Sequence, residues 1–352
     1  MDRIYCGIDF HKNTSTICAL KQDGQQVEMV TIRTANLVNY LSNRQNYLIG
    51  IEASGGTNAM VQKLKDSGHE VKIINPNKLK AIGLGGKKTD KRDAHTIAEV
   101  LRLNYIPEVY HKSEYARKIK SLLVIREQIV RTRVNLTNHV RGILREYGIT
   151  MPQGMDNFFN YIGESLEGLD CHHIREALSF MLKQIRGLIE EEKANEQRLQ
   201  SFSKEDKRVK QLQTIPGVGL MTSMALIAVV DDENRFTSSK YFASYLGLVP
   251  REYSSGEKRR MGSITRSGSE IPRRYLIHGA RSVLLHTTKN RQQKDGNRRW
   301  ALAVKNRLGM NKASVALAHR MARIAFNMLK YKQDYQQTPF VKRSEDSFSE
   351  AA

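Results

Sequence analysis

Two carboxylates stand inside apolar strand-like segments, and they restrict the fold more than any other feature of the chain. Asp9 lies in IYCGIDF between Ile8 and Phe10, and Glu52 lies in LIGIEA near the end of another such segment. A charged side chain in such a setting costs several kcal/mol unless it is paired or bound to a cation. The chain must therefore fold so that a positive charge reaches both acids. Around them, residues 4–10, 15–21 and 27–33 are rich in β-branched and aromatic side chains and are separated by HKN and QDGQQ, which predicts three strands in a meander. An amphipathic stretch follows at 36–44, then a strand at 47–53, a helix from about Asn58 to Asp66 and a strand at 70–76.

Three antiparallel strands followed by alternating helix and strand make an α/β sheet covered by its crossovers. With its acidic residues, this is the order of a ribonuclease H-like core. Two more acids, Asp90 and Asp93 of KTDKRDA, lie three residues apart at a predicted helix start, on one face and near its N-terminus. Each acid has an ordinary structural explanation: a helix cap for Asp90 and Asp93, a buried salt bridge to Lys12 or Lys88 for Asp9 and Glu52. All four falling at one predicted sheet edge favours a metal site. Oxygen ligands with no Cys or His nearby suit Mg²⁺ or Mn²⁺. Two such ions can clamp the attacking and leaving oxygens of a phosphodiester.

Residues 114–147 place Ile119, Leu122, Ile125, Ile129, Leu136, Val140 and Ile143 at helical spacing, a single amphipathic helix of about 50 Å. MPQG at 151–154 ends it, and a second helix over about 173–203 returns antiparallel. The pair reads as a coiled-coil hairpin, closed on itself or dimerising, since the two kinds of seam look alike in sequence. From Lys207 to Lys330 the chain is mostly helical, and the polar tail after Gln333 is expected to be disordered. The domains expected are 1–105, 106–205, 206–332 and a tail over 333–352.

The net charge is +21, and it is unevenly spread: residues 1–104 carry 15 Lys and Arg against 10 Asp and Glu, residues 251–330 carry 19 against 4. Such a surface attracts phosphate polymers, so nucleic acid is the expected partner; an anionic membrane surface or plain solubility are the other readings. No apolar run approaches the roughly 18 residues that span a bilayer, and the start lacks a signal-peptide core, so a cytoplasmic, nucleoid-associated location is expected. Cys6, Cys18 and Cys171 fit no disulfide or zinc pattern and read as reduced packing residues.

In REYSSG, a serine beside glycine is ordinarily a turn residue. Here Arg251, Lys258, Arg259, Arg260 and Arg266 surround it in sequence with cations suited to a phosphate. Ser255 could attack a phosphodiester; Ser254 and Tyr253 are the chemical alternatives. IPGVG at 215–219 before an apolar helix has the form of a helix-hairpin-helix turn, whose N–H groups meet phosphate oxygens, or of a simple Pro-Gly helix entry. Lys88, Arg273 and Arg274 join the residues expected to contact nucleic acid. His278, His286 and His319 read as packing or phosphate contacts.

GIDFHK, IGIEASG, INPNKLKA, KTDKRDA, TIPGVGLMTSMALIA, YLGLVPREYSSG and GMNKASVALAHRMARIAFNML, in that order, resemble the DEDD insertion-sequence transposases of the family numbered one hundred and ten, most closely its eleven-eleven subgroup. The resemblance implies a RuvC-like domain with an acidic tetrad at Asp9, Glu52, Asp90 and Asp93, and a C-terminal transposase domain with Ser255 as nucleophile, favoured over Ser254 and Tyr253. It implies guidance by an element-encoded noncoding (bridge) RNA, kinship with Piv-type invertases, and a dimer or tetramer in which the acidic site of one subunit is completed by the serine domain of another. Two other readings stay open from the residues: a hydrolytic junction nuclease with Ser255 only a phosphate ligand, and a non-catalytic nucleic-acid-binding protein.

Overall fold

The computed structural model describes residues 2–82, 89–254, 260–287 and 295–337. The chain divides into two compact units, Met1–Lys112 and Ser113–Ala352.

The first unit is built on β1 (Ile4–Phe10), β2 (Thr14–Leu20), β3 (Gln26–Arg33), β4 (Tyr47–Glu52) and β5 (Glu70–Ile74), in the order β3-β2-β1-β4-β5. β1 pairs antiparallel with β2 and parallel with β4, with Gly7 opposite Gly50 and Ile8 opposite Ile51. Strand alternation decides what each face does. Ile4, Cys6 and Ile8 of β1 and Tyr47, Ile49 and Ile51 of β4 enter one core with α1 (Leu37–Leu41) and α2 (Thr57–Asp66). The alternate residues face α4 (Asp90–Arg102), where Leu48 packs with Ile97, Val100 and Leu101.

That second face carries two glycines where side chains would be expected, and their reason is the approach of α4. A Cβ on Gly7 would lie 2.1 Å from the Ala94 carbonyl oxygen and 2.4 Å from the Ala98 nitrogen; one on Gly50 would lie 2.8 Å from Ile97 and Leu101. The bare strands let α4 lie directly on the sheet, and its first turn comes down beside the strand ends where Asp9 and Glu52 stand. Between β5 and α4 runs α3 (Pro76–Ile82).

The second unit is helical. α5 (Glu114–Glu146) and α7 (His172–Ser203) pack along each other, joined by Arg126 to Glu192 and Glu196 and by Arg133 to Glu192. α6 (Met155–Glu167), which the sequence reading does not assign, buries Phe158 and Ile162 in the core that α5 and α7 share. α8 (Lys207–Gln213) leads through IPGVG into α9 (Leu220–Val230), buried on all sides from Thr222 to Val230. Around α9 lie α10 (Ser239–Tyr245), α11 (Glu270–Leu285), α12 (Gly296–Leu308) and α13 (Met310–Tyr331). One short antiparallel pair, β6 (Pro250–Glu252) and β7 (Met261–Ile264), interrupts the helices. Gly217 and Gly279 pack backbone to backbone, so the turn of IPGVG is pressed onto α11. Among the described residues, no helix is long and apolar enough to cross a membrane. Cys6 and Cys18 are buried thiols, as packing residues should be, whereas Cys171 is exposed.

Candidate active site

Asp9 occupies the penultimate position of β1 and is only 7% exposed. Parallel pairing sets Glu52, the last residue of β4, beside it on the face that meets α4. The Glu52 carbonyl accepts a 2.9 Å bond from the Thr57 hydroxyl, which ties this strand end to the start of α2. Thr89 caps α4 by accepting from the Arg92 N–H, leaving Asp90 and Asp93 in the first turn with their carboxylates uncommitted to capping. The helix cap considered for those two acids is thus a threonine's task.

His11 is the residue the sequence reading does not include. Its Nε2 lies 3.2 Å from Asp9 Oδ2 and 3.8 Å from Asp90 Oδ1. Asp9, His11 and Asp90 present ligand atoms that all lie within 4.8 Å of one another. The signal was present: residues 9 and 11 share a face in an extended chain, so a histidine two positions after a strand acid belongs to the same site. The expected oxygen-only surroundings are corrected accordingly. Glu52, at the end of β4, and Asp93, in the first turn of α4, are not among the cluster's three members.

Burial pushes the Asp9 carboxyl above its ordinary value; His11 draws it back, and the charges of Asp90 and Asp93 push it further up. Among the described residues no lysine or arginine pairs with Asp9, and the salt bridge to Lys12 does not form. Among the described residues, His11, when protonated, is the cationic partner that this buried acid, facing two further acids, is given.

In the second unit, Ser255, Lys258 and Arg259 lie outside the described residues, as does Lys88 in the first. The flanks of the serine are described. Tyr253 N–H donates to the Arg260 carbonyl at 2.9 Å, continuing the β6–β7 pair, and its exposed ring covers Gly262. Ser254 Oγ donates to Glu252 at 2.8 Å. Arg251, Arg260 and Arg266 are exposed. Arg273 is different: 8% exposed, it donates to the carbonyls of Leu246 and Ser267 and so holds the turn before α11. Burial lowers its pKa. Arg274 pairs with Glu127 and Glu270. Charge counting does not separate these two from the exposed arginines. Beside β7, helices α11 to α13 wall a groove of about 1330 Å³, with Ile277, Trp300 and Val315 among its apolar lining, His319 beside them, and Arg266, Arg273, Arg274 and Lys312 as its cations. His319 packs there, its pKa lowered by burial and by Arg323, while His278 and His286 are exposed.

A five-stranded mixed sheet with acids at the ends of its two central parallel strands is compatible with a ribonuclease H-like DEDD domain. Comparison with known proteins gives the class: the profile of the DEDD transposases of IS110 type matches residues 6–149, and that of the transposase IS116/IS110/IS902 family matches residues 209–296. The transposase for insertion sequence element IS1111A of Coxiella burnetii is 30% identical over 94% of this chain and 90% of its own length. The transposase for IS1328 of Yersinia enterocolitica is 27% identical over 91% of this chain and 95% of its own, and the pilin gene-inverting protein of Moraxella lacunata 27% over 79% and 82%. The protein is thus a DNA transposase, a recombinase in the broad sense. It belongs to the IS110 family.

That family implies a divalent metal, and the donor set fits one. Ligand atoms about 2.1 Å from a common ion lie roughly 3–4.2 Å apart. The separations of 3.2 and 3.8 Å from His11 Nε2 to the two carboxylates fall in that range.

Proposed function

We propose that the protein exchanges strands between a mobile element and its target DNA, guided by an element-encoded structured RNA, with Ser255 as nucleophile and Asp9, Glu52, Asp90 and Asp93 as ligands of Mg²⁺ or Mn²⁺. The observation that carries the reading is the buried Asp9 clustered with Asp90 and His11, in a chain whose family match also spans the segment of Ser255. In the cleavage step the Ser255 Oγ bonds to phosphorus and the P–O bond to the leaving deoxyribose breaks. The serine gives up its proton and the leaving oxygen takes one. The phosphoserine link keeps the bond energy, so a hydroxyl from the second duplex can reverse the step and rejoin the strand. A relative named for inverting a pilin gene supports this, because inversion requires every broken strand to be rejoined. The exposed Arg251, Arg260 and Arg266, with Lys258 and Arg259, neutralise the phosphate. A divalent ion would stabilise charge on the phosphate oxygens. Oligomerisation, as dimer or tetramer, belongs to the same proposal.

The test is to incubate the full chain, with the RNA that copurifies with it, target duplex and Mg²⁺, and then denature. A covalent protein–DNA adduct is expected, lost in Ser255→Ala and kept in Ser254→Ala. Cleaved ends without an adduct would establish hydrolysis instead. Copurified RNA with no complementarity to the target would overturn RNA guidance.

A further inference from the structure

Resting on the carboxylate-site reading above, we infer that His11 is a nitrogen ligand of that metal centre and biases it towards Mn²⁺ over Mg²⁺. The argument starts from position. His11 follows β1, and its backbone is fixed at both ends of the residue: its N–H donates to the Thr14 carbonyl at 3.2 Å, and its carbonyl accepts from the Thr34 hydroxyl at 2.8 Å. Thr34 is itself held by Ser15 at 2.8 Å, both side chains buried. The imidazole therefore projects from an anchored turn.

What it projects towards is the gap between two carboxylates from different elements, Asp9 on the sheet and Asp90 on α4. A ring nitrogen bridging that gap can be the third corner of a ligand set, at separations that one ion accommodates. A histidine nitrogen changes the preference of a site. Imidazole suits transition ions, whereas Mg²⁺ favours oxygen donors and retained water, and Mn²⁺ accepts both. A site of carboxylates alone would discriminate weakly between the two.

The competing reading is that His11, protonated, is itself the cation that neutralises Asp9 and Asp90. The two readings predict opposite signs. As a ligand, His11 strengthens Mn²⁺ binding; as a resident cation, it competes with the metal.

The experiment uses the full chain carrying His172→Ala and His173→Ala, because His172, His173 and Glu176 form the other candidate cluster among the described residues. Mn²⁺ binding is titrated by electron paramagnetic resonance, with Mg²⁺ as competitor, in this background and with His11→Gln, His11→Asn or Asp9→Asn added. The bound Mn²⁺ is examined for ¹⁴N coupling, and again after labelling the histidines with ¹⁵N, which needs no substitution at residue 11. Expected are a nitrogen coupling that follows the label, its loss in His11→Gln with Mn²⁺ still bound, and a drop in Mn²⁺ affinity of about tenfold or more with a smaller drop for Mg²⁺. Mn²⁺ bound without nitrogen coupling, or affinity unchanged or raised in both His11 variants, overturns the inference while leaving the carboxylate site intact. If Asp9→Asn binds Mn²⁺ as before, the carboxylate reading fails, and the inference with it.

Discussion

At Asp9 the fold accepts a cost that a neutral residue would remove. Its carboxylate is buried and faces the charges of Asp90 and Asp93, with His11 as the partner that offsets them. Asp9→Asn keeps the shape and removes the charge, so the metal-free variant is expected to melt at the same temperature as the parent or higher. Its strand transfer should fall by about 10³-fold, because several kcal/mol of transition-state stabilisation depend on the charged ligand. A melting point well below the parent's would show that the carboxylate serves packing instead. At this scale the sequence was informative where context was unusual: an acid inside IYCGIDF or LIGIEA declares itself. It was uninformative where context was ordinary. Arg273 looks like one more surface cation until the fold shows what its side chain reaches, and His11, inside the HKN turn, declares itself only by its spacing from Asp9.

Elements were legible in proportion to their length and periodicity. The five strands and the two long helices lie within a few residues of their expected bounds, because apolar spacing over many residues marks them. α6 carries the same mark, with Met155, Phe158, Phe159, Ile162 and Leu166 at helical spacing, and the sequence reading passes over it; the β6–β7 pair carries none. The first is a short helix after a Pro-Gly stop, stabilised by Phe158 and Ile162 against its neighbours; the second is two strands of three and four residues with mostly exposed side chains. The close seating of α4 on β1 can be tested without touching a ligand. Gly7→Ala drives a methyl into the backbone of α4, so α4 must move, at a cost of about 1–3 kcal/mol or more. Both stability and Mn²⁺ affinity should drop. Gly55→Ala, with nothing within 4 Å of the added atom, should change neither. In the second unit Asp206 caps α8, accepts from the Tyr115 hydroxyl at 2.9 Å and binds Arg208. Burial opposes its charge, but these bonds outweigh that and lower its pKa. Its contribution is therefore complete above the unfolded carboxylate value and lost as pH falls through the depressed one. Asp206→Asn should cost about 1–2 kcal/mol at neutral pH. Chemical unfolding followed by the fluorescence of Trp300, the chain's only tryptophan, should show the gap to the parent narrowing as the medium is acidified.

For the whole molecule, charge is the property the sequence states most directly and locates least well. A net charge of +21 identifies a polyanion as partner, yet the fold divides the C-terminal cations into those that bind the protein and those that do not. Arg266, Lys312, Arg273 and Arg274 all line the groove beside β7, but Arg273 is spent on two carbonyls and Arg274 on two glutamates. Counterion release makes this division measurable. On duplex DNA of arbitrary sequence, the log–log plot of affinity against salt should be steep, at about −0.9 per phosphate neutralised. Removing Arg266 and Lys312 together should flatten it by about 2 while leaving the melting temperature nearly unchanged. Arg273→Ala should do the opposite, lowering the melting temperature while the folded protein keeps the parental slope, because a buried guanidinium releases no counterions when DNA arrives. If the Arg273 variant flattened the slope, burial would not be what silences that cation; if the double variant kept the parental slope, the groove would not be the path of the phosphate backbone, and the exposed arginines of the β6–β7 pair would have to carry it elsewhere.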